Sequence, residues 1–559
     1  MRIEKVPGVS LSPSPSAKAY LSDFPKVAPA YEYDPCDPES YIRRADFLQG
    51  GGFTGDRAAL SAALERYNRG LGADEAALEG ARLLARPETL VAITGQQAGI
   101  FTGPAYSIYK ALTTIRLARR QSERLGVPVV PVFWIAGEDH DWHEVSWVMV
   151  PAGESTQRLA LHEHFEHERR SVGLAPMPES LPAVLDEFEQ LMPETEFKAE
   201  VIRLIREMAG GAPALEPAAT GGKPSLVDWF GKIMAWIFRG TGLVFLNSAD
   251  PALRRIEAPF LARAIEQYEA VDAAFVRGIE RWEKELGFKT TVERQPGSLN
   301  LFLYVDGARL PLMGEGDRIW VRGQEELRWS RAELIDLALT HPERFSTNVV
   351  LRPVVQGYIL PDLFYAGGPG EINYLGLYKD VYRVMGQQMP IFVPREGFTL
   401  VEPPLARILE KQQLTLDDVF HRLEERKQEL LEREDRLGIT RLFEEFRQDF
   451  DRRYQGLTSV ILQLDQHLSQ VIEENRKQIQ HQIHRLEEKA KQQHRKNCEV
   501  SLRQFERLRA HLTPHGLQER AVSILPYLIK YGPDLVRRMV EEIPLEDCWS
   551  HRAIYLGDS

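Results

Sequence analysis

The sequence predicts an α/β protein, a parallel-sheet core interrupted by inserted segments and joined to a long α-helical coiled-coil domain. Three observations predict it. Short apolar runs at Leu90–Ile93 and Val127–Ile135 flank a helical stretch from about Pro104 to Leu125. A glycine-rich loop follows the first run and an acidic, histidine-bearing loop follows the second. From about Pro404 glycine and proline nearly vanish, and apolar residues recur every three or four positions.

The strand–helix–strand order within so short a stretch is a right-handed βαβ unit with parallel strands. Its second strand is apolar on both faces, as a buried parallel strand must be. Gly242–Leu246 and Met389–Val393 read as further core strands, and a long helix is expected from about Pro251 to Leu286. Residues 290–325 alternate and turn often, which predicts an antiparallel insertion. Residues 1–88 form a helical N-terminal segment packing on the core. The core runs from 89 to 403, with inserts at about 151–240 and 290–350. The helical coiled coil covers 404–512, and 513–559 returns to the core. Between Leu457 and Leu512 the seam includes Leu457, Ile461, Leu464, Leu468, Ile472, Ile479, Ile483, Leu486 and Ala490. One helix over that span would reach roughly 80 Å at 1.5 Å per residue. It needs a partner, either the helical stretch from 405 to 450 or a second subunit.

At 559 residues the chain is too long for one compact core. A formal charge of -12 gives no basic face for nucleic acid. No run of about 18 apolar residues appears, so no membrane span is expected, and the start has no apolar signal region. Three cysteines, Cys36, Cys498 and Cys548, stand far apart in the sequence. They form neither a disulfide framework nor a metal cluster. A cytoplasmic protein is the expectation.

Three stretches carry candidate chemistry. In the first, Thr94 to Lys110, Gly95, Gly99 and Gly103 let the backbone turn sharply, and Pro104 suits the first helical position. The helix N-terminus offers N–H groups to an anion, and Thr94, Gln96, Gln97, Thr102 and Tyr106 add side-chain hydrogen bonds. The bland reading is a loop that needs glycine only to turn. The second, Trp134 to Glu144, lies past the end of a strand, where ligands bind in open α/β sheets. Asp139 and Asp141 suit a substrate amine, and His140 or His143 an acid or base role. The bland reading is a solvated acidic loop. The third runs from Arg352 through Gly368 and Gly370 to Glu371 and Tyr374, which share a helix face. Arg352, and Arg395 further on, are suited to a carboxylate or phosphate. Ser248 follows the third strand as a ligand contact or a helix cap.

Taken together, TGQQAGIFTGPAYSIYKA, PVFWIAGEDHDWHEV, LRPVVQGYILPDLFYAGGPGEINYLGLYK and MPIFVPREGFTLVE resemble the cysteine-adding enzymes of bacillithiol biosynthesis, the BshC family. The resemblance extends over nearly the whole chain. It implies a Rossmann-like, nucleotidyltransferase-type core with inserted connecting segments and a coiled-coil domain that forms a homodimer. It also implies a ligase that joins L-cysteine to glucosaminyl malate through an amide. ATP, with Mg²⁺ accompanying the nucleotide, is implied by analogy to adenylating ligases, and no resident metal. Where those ligases carry a histidine motif, this chain has Gln96-Gln97-Ala98-Gly99. Phosphate handling then falls to backbone amides, Thr, Gln and Arg. Two other readings of the residues stand beside this one: a metal-dependent hydrolase centred on His140 and His143, and a coiled-coil scaffold with a relic α/β core.

Overall fold

A computed structural model describes residues 1–559 except 7–13, 164, 166–167, 216–221, 436, 546–550 and 558–559. Cys548 lies outside the described residues. Cys36 and Cys498 are free thiols. The chain divides into two compact units, Met1–Leu400 with Pro514–Ser559, and Val401–Thr513.

The first unit is built on five parallel strands: β1 (Leu90–Gln96), β2 (Val129–Ile135), β3 (Val244–Asn247), β4 (Asp362–Gly367) and β5 (Ile391–Pro394). Their order across the sheet is β5-β4-β1-β2-β3. That is the Rossmann order, in which the chain reverses direction between β1 and β4. Every residue of β1 from Leu90 to Gly95 is buried, which is why the strand reads as a continuous apolar run. Helix α1 (Tyr106–Leu125) returns the chain to β2 and ends at Gly126, whose left-handed backbone suits glycine.

Two insertions complete this unit. The hairpin Trp147–Ala152/Ser155–Ala160 precedes helices in residues 181–237. A five-stranded antiparallel sheet spans Ser298 to Thr347. Its first turn, Asp306-Gly307, has both residues at positive φ, the backbone of a tight hairpin turn. The long helix expected from Pro251 is divided. Pro251–Glu266 ends at Gln267, and a second helix, Tyr268–Glu280, follows. A three-stranded sheet places His551–Tyr555 between Arg2–Lys5 and Gly397–Val401. Among the described residues no helix is long and apolar enough to cross a membrane.

The second unit is helical. The single helix expected over Leu457–Leu512 is corrected here: the chain turns at Asp465–Leu468, inside the apolar repeat. Helix Ile439–Leu464 packs against Ser469–Asn497, and Glu499–Leu512 follows. The turn has neither glycine nor proline, so the sequence gives no break signal. Asp465 makes it, its carboxylate accepting from the backbone N–H of His467 at 2.8 Å. Tyr454 ties the antiparallel pair together through its hydroxyl to Ile472 O at 3.0 Å and Asn475 Oδ1 at 2.9 Å. At 29 residues, Ser469–Asn497 is about 44 Å long.

Candidate active site

A cavity of about 740 Å³ lies beyond the carboxyl ends of β1, β2 and β4, with the antiparallel insertion as its far wall. The topological switch between β1 and β4 puts it there, because neighbouring connections leave the sheet on opposite faces. Eight of the residues singled out in the sequence line it: Gln97, Asp139, His140, Asp141, Arg352, Gly370, Glu371 and Tyr374.

A buried cation joins the loops. Lys110, on the first turns of α1, is 3% exposed. Its ammonium donates to Gly95 O at 2.8 Å and Gln96 Oε1 at 2.9 Å and pairs with Glu371 Oε2 at 2.6 Å. Glu371 starts the short helix Pro369–Leu375 and also accepts from Tyr365 Oη (2.6 Å) and Gly368 N–H (2.8 Å). Burial alone would raise the Glu371 carboxyl. Lys110 and these donors hold it below the usual range. Burial lowers the Lys110 ammonium, and Glu371 opposes that shift. From Gln96 the chain of bonds runs through Gln97 Oε1 (2.7 Å), and Gln97 donates to Asp139 Oδ2 (3.2 Å) and Glu144 Oε2 (2.5 Å). Lys110 and Glu144 were not singled out as site residues, although both lie inside the motifs.

The charges around the cavity are divided. Asp139, Asp141 and Glu144 stand together on the β2 loop. Burial, with Asp141 and Asp139 alongside, pushes the Glu144 carboxyl up, although its side chain reaches solvent. Two guanidiniums line the same cavity. Arg352 donates to Tyr374 Oη at 3.0 Å, its Nε is buried without a partner, and no carboxylate among the described residues pairs with it. Arg309 is 5% exposed and bonds Ser346 Oγ (2.8 Å), Thr347 O (2.5 Å) and His140 Nδ1 (2.9 Å). Arg309 sits just after the Asp306-Gly307 turn. Nothing in an alternating hairpin sequence marks which of its residues faces a distant loop.

The other sequence candidates stand elsewhere. Thr94 is buried, and its hydroxyl donates to Ala366 O at 2.7 Å, clamping β1 to β4. Gln96 and Tyr106 bond each other at 3.0 Å behind Gln97. Gly368 supplies the N–H that caps Glu371. Ser248 is buried and accepts from the Glu138 N–H at 3.3 Å. Arg395 is buried, pairs with Glu519 at 2.6 Å and lies over the Tyr106 ring. Thr102 and Gly103 do not form an open anion cradle. Phe101, Thr102 and Gly103 all have positive φ and are buried. The segment Ala521–Ser523 seals them: Val522 O accepts from the Ala105 N–H at 2.8 Å, and Ser523 Oγ donates to Phe101 O at 2.9 Å. Gly99 is required here, since a Cβ on it would meet Gly103 Cα at 2.9 Å.

Beneath the acidic loop, Arg254 pairs with both Glu138 and Glu257, all three buried. Burial pushes the Glu257 carboxyl up to about 7; Arg254 opposes the rise and Glu138 adds to it. The fold therefore favours the protonated form. The stability this brings is complete below pH 4.5, the ordinary value, and is lost as pH rises through 7. Glu257→Gln should gain on the parent between pH 5 and pH 8, by about 2 kcal/mol. Urea unfolding at the two pH values measures it, and an equal effect at both would place the charge of Glu257 elsewhere.

Among the described residues, no group of three His, Cys, Asp or Glu side chains could hold a metal ion. Two family models cover almost all of the chain. "Bacillithiol biosynthesis BshC, N-terminal Rossmann-like domain" matches residues 1–396, and "Bacillithiol biosynthesis BshC, C-terminal coiled-coil domain" matches 398–556. A relative from Symbiobacterium thermophilum is 73% identical over the full length of both chains. One from Desulforamulus reducens is 34% identical over 99% of this chain and 100% of its own, and one from Heliobacterium modesticaldum 37% over 89% and 90%. All three are named "Putative cysteine ligase BshC". With both halves matched and relatives aligned end to end, the chain belongs to the BshC family of bacillithiol biosynthesis.

Proposed function

We propose that this chain is a cytoplasmic ligase that joins L-cysteine to glucosaminyl malate through an amide, the last step of bacillithiol biosynthesis. The division of charge in the cavity carries this reading. Arg352 offers a guanidinium with no carboxylate partner, as a substrate carboxylate requires. Asp139, Asp141 and Glu144 line the same cavity, and carboxylates suit a substrate ammonium. The names of the relatives point the same way. The small molecules are its partners, with no nucleic acid or membrane among them.

Amide formation needs the free amine. The ammonium must lose a proton, and the raised carboxyl of Glu144, held by Gln97, is placed to accept it. The new C–N bond forms as a leaving group departs from the acyl carbon, so the carboxylate must first be activated. ATP with Mg²⁺ is the co-reactant the resemblance implies. The loop expected to cradle its phosphates does not fit that task, since Thr102 and Gly103 are sealed beneath Ala521–Ser523.

The test is an assay of purified protein with L-cysteine, glucosaminyl malate and ATP. Bacillithiol formation together with stoichiometric nucleotide turnover is expected. Authentic substrates giving neither, beside an active control enzyme, would sink the proposal. We also propose a homodimer through the helical unit. Phe446, Leu457, Val460 and Leu464 fall on the a and d positions of one heptad register on Ile439–Leu464 and are exposed. Equilibrium sedimentation decides it.

A further inference from the structure

We propose that Arg309 is a positioning residue that locks His140 as a neutral hydrogen-bond donor, so that His140 Nε2–H binds the acyl oxygen that gains negative charge as the amide forms. The proposal rests on the ligase reading above and assigns His140 a role other than acid or base.

The argument begins with what each group can donate. A guanidinium has five N–H donors, no acceptor, and stays charged in proteins. Arg309 Nη1 lies 2.9 Å from His140 Nδ1. Arginine must therefore donate, and Nδ1 must present its lone pair. The proton of the neutral ring then resides on Nε2. No described residue bonds Nε2, and His140 lines the cavity. A base at Nδ1 is excluded while Arg309 holds it, and Nε2 has no lone pair to offer.

Arg309 is itself fixed. Ser346 Oγ and Thr347 O take two more of its N–H groups, and the guanidinium lies 3.9 Å over the Phe302 ring. The same ring packs edge-on to His140 at 6.0 Å. Asp139 Oδ1 also lies near Nδ1, at 3.8 Å, beyond hydrogen-bond reach. Arg309 and Arg169 disfavour its charged form, Asp139 and Asp141 favour it, and burial weighs most, so protonation is lowered below the ordinary value.

The chemistry needs such a donor. When the amine attacks an activated acyl donor, the C=O bond becomes a C–O⁻ single bond until the leaving group departs. A donor fixed at that oxygen stabilises the charge without giving up its proton. The acidic side chains nearby cannot do this when ionised, since they only accept.

The experiment uses the full chain. In ¹⁵N spectra of the free protein, the His140 signal, identified by its loss in His140→Gln, should show Nε2 protonated and Nδ1 bare at pH 7. Arg309→Met should raise its titration midpoint and shift the acid limb of the kcat/KM profile upward with it. Glutamine keeps an N–H close to the position of Nε2. His140→Gln should therefore stay within about tenfold of the parent, while His140→Ala falls by about 10²–10³-fold. A proton on Nδ1, or equal loss in folded His140→Gln and His140→Ala, overturns the proposal. If the parent forms no amide, the ligase reading falls, and the tautomer signal still decides whether Arg309 sets the state of His140.

Discussion

Replacing Arg352 by methionine should raise KM for the anionic substrate about 100-fold, roughly 2.7 kcal/mol of binding, with a smaller change in kcat. Arg352 lines the cavity, makes no direct ion pair with a carboxylate among the described residues, and has its Nε buried without a partner. Burial opposes its charge, Tyr374, Tyr365, Glu371 and Asp139 outweigh that from nearby, and a ligand carboxylate would add the direct bonds that none of these carboxylates makes. Methionine keeps the length and apolar packing of the side chain while removing the charge. Arg352→Lys should recover only part of the loss, because an ammonium lacks the planar fork that grips a carboxylate. Steady-state kinetics with each substrate varied in turn separates the terms. A KM within threefold of the parent would make Arg352 a structural cation.

The second large effect is expected at Lys110. Lys110→Met leaves Glu371 facing Tyr365 and the Gly368 N–H with no counter-charge. It also leaves Gly95 O and Gln96 Oε1 without their donor. Breaking a buried pair from one side typically costs 3–5 kcal/mol. Since the Glu371 side chain is 19% exposed, about 3 kcal/mol is the expected loss in urea unfolding. Glu371→Gln alone strands the lysine and should cost a similar amount. The double variant should be less destabilised than the sum, by 1 kcal/mol or more. Additive losses would mean that the ion pair contributes little, and that Lys110 acts through its bonds to the β1 loop.

The strands of the core were legible because burial on both faces leaves nothing but apolar residues, as at Val129–Ile135. The loops after β1, β2 and β4 were legible because glycine and clustered charge have few reasons to stand at strand ends. What was not legible has a common cause. Thr102, Ser248 and Arg395 have the right chemistry for a ligand. Only contacts far along the chain decide that Thr102 is buried in the loop that Ala521–Ser523 fastens, that Ser248 receives the Glu138 N–H and that Arg395 pairs with Glu519. Arg309 was missed for the converse reason: its partner His140 lies 169 residues away, in another element. The turn at Asp465 escaped notice because an apolar repeat carries straight through it, and one aspartate cap is a weak mark beside nine seam positions.

The seal over the β1 loop also bears on how the protein is made. Phe101 and Ser523 stand 422 residues apart. At about 5–20 residues per second, the ribosome adds the latch roughly 20–85 s after the loop has emerged. Throughout that interval Phe101 has Phe188 and Trp229 to pack against, but its carbonyl and the Ala105 N–H lack their partners. The cavity walls can be complete in sequence while the buried loop after β1 still lacks this latch. A chain stopped at Thr513 would keep every cavity-lining residue and lack the latch. The segment Ala521–Ser523 thus reaches back across the sequence of the cavity walls to fasten the loop after β1.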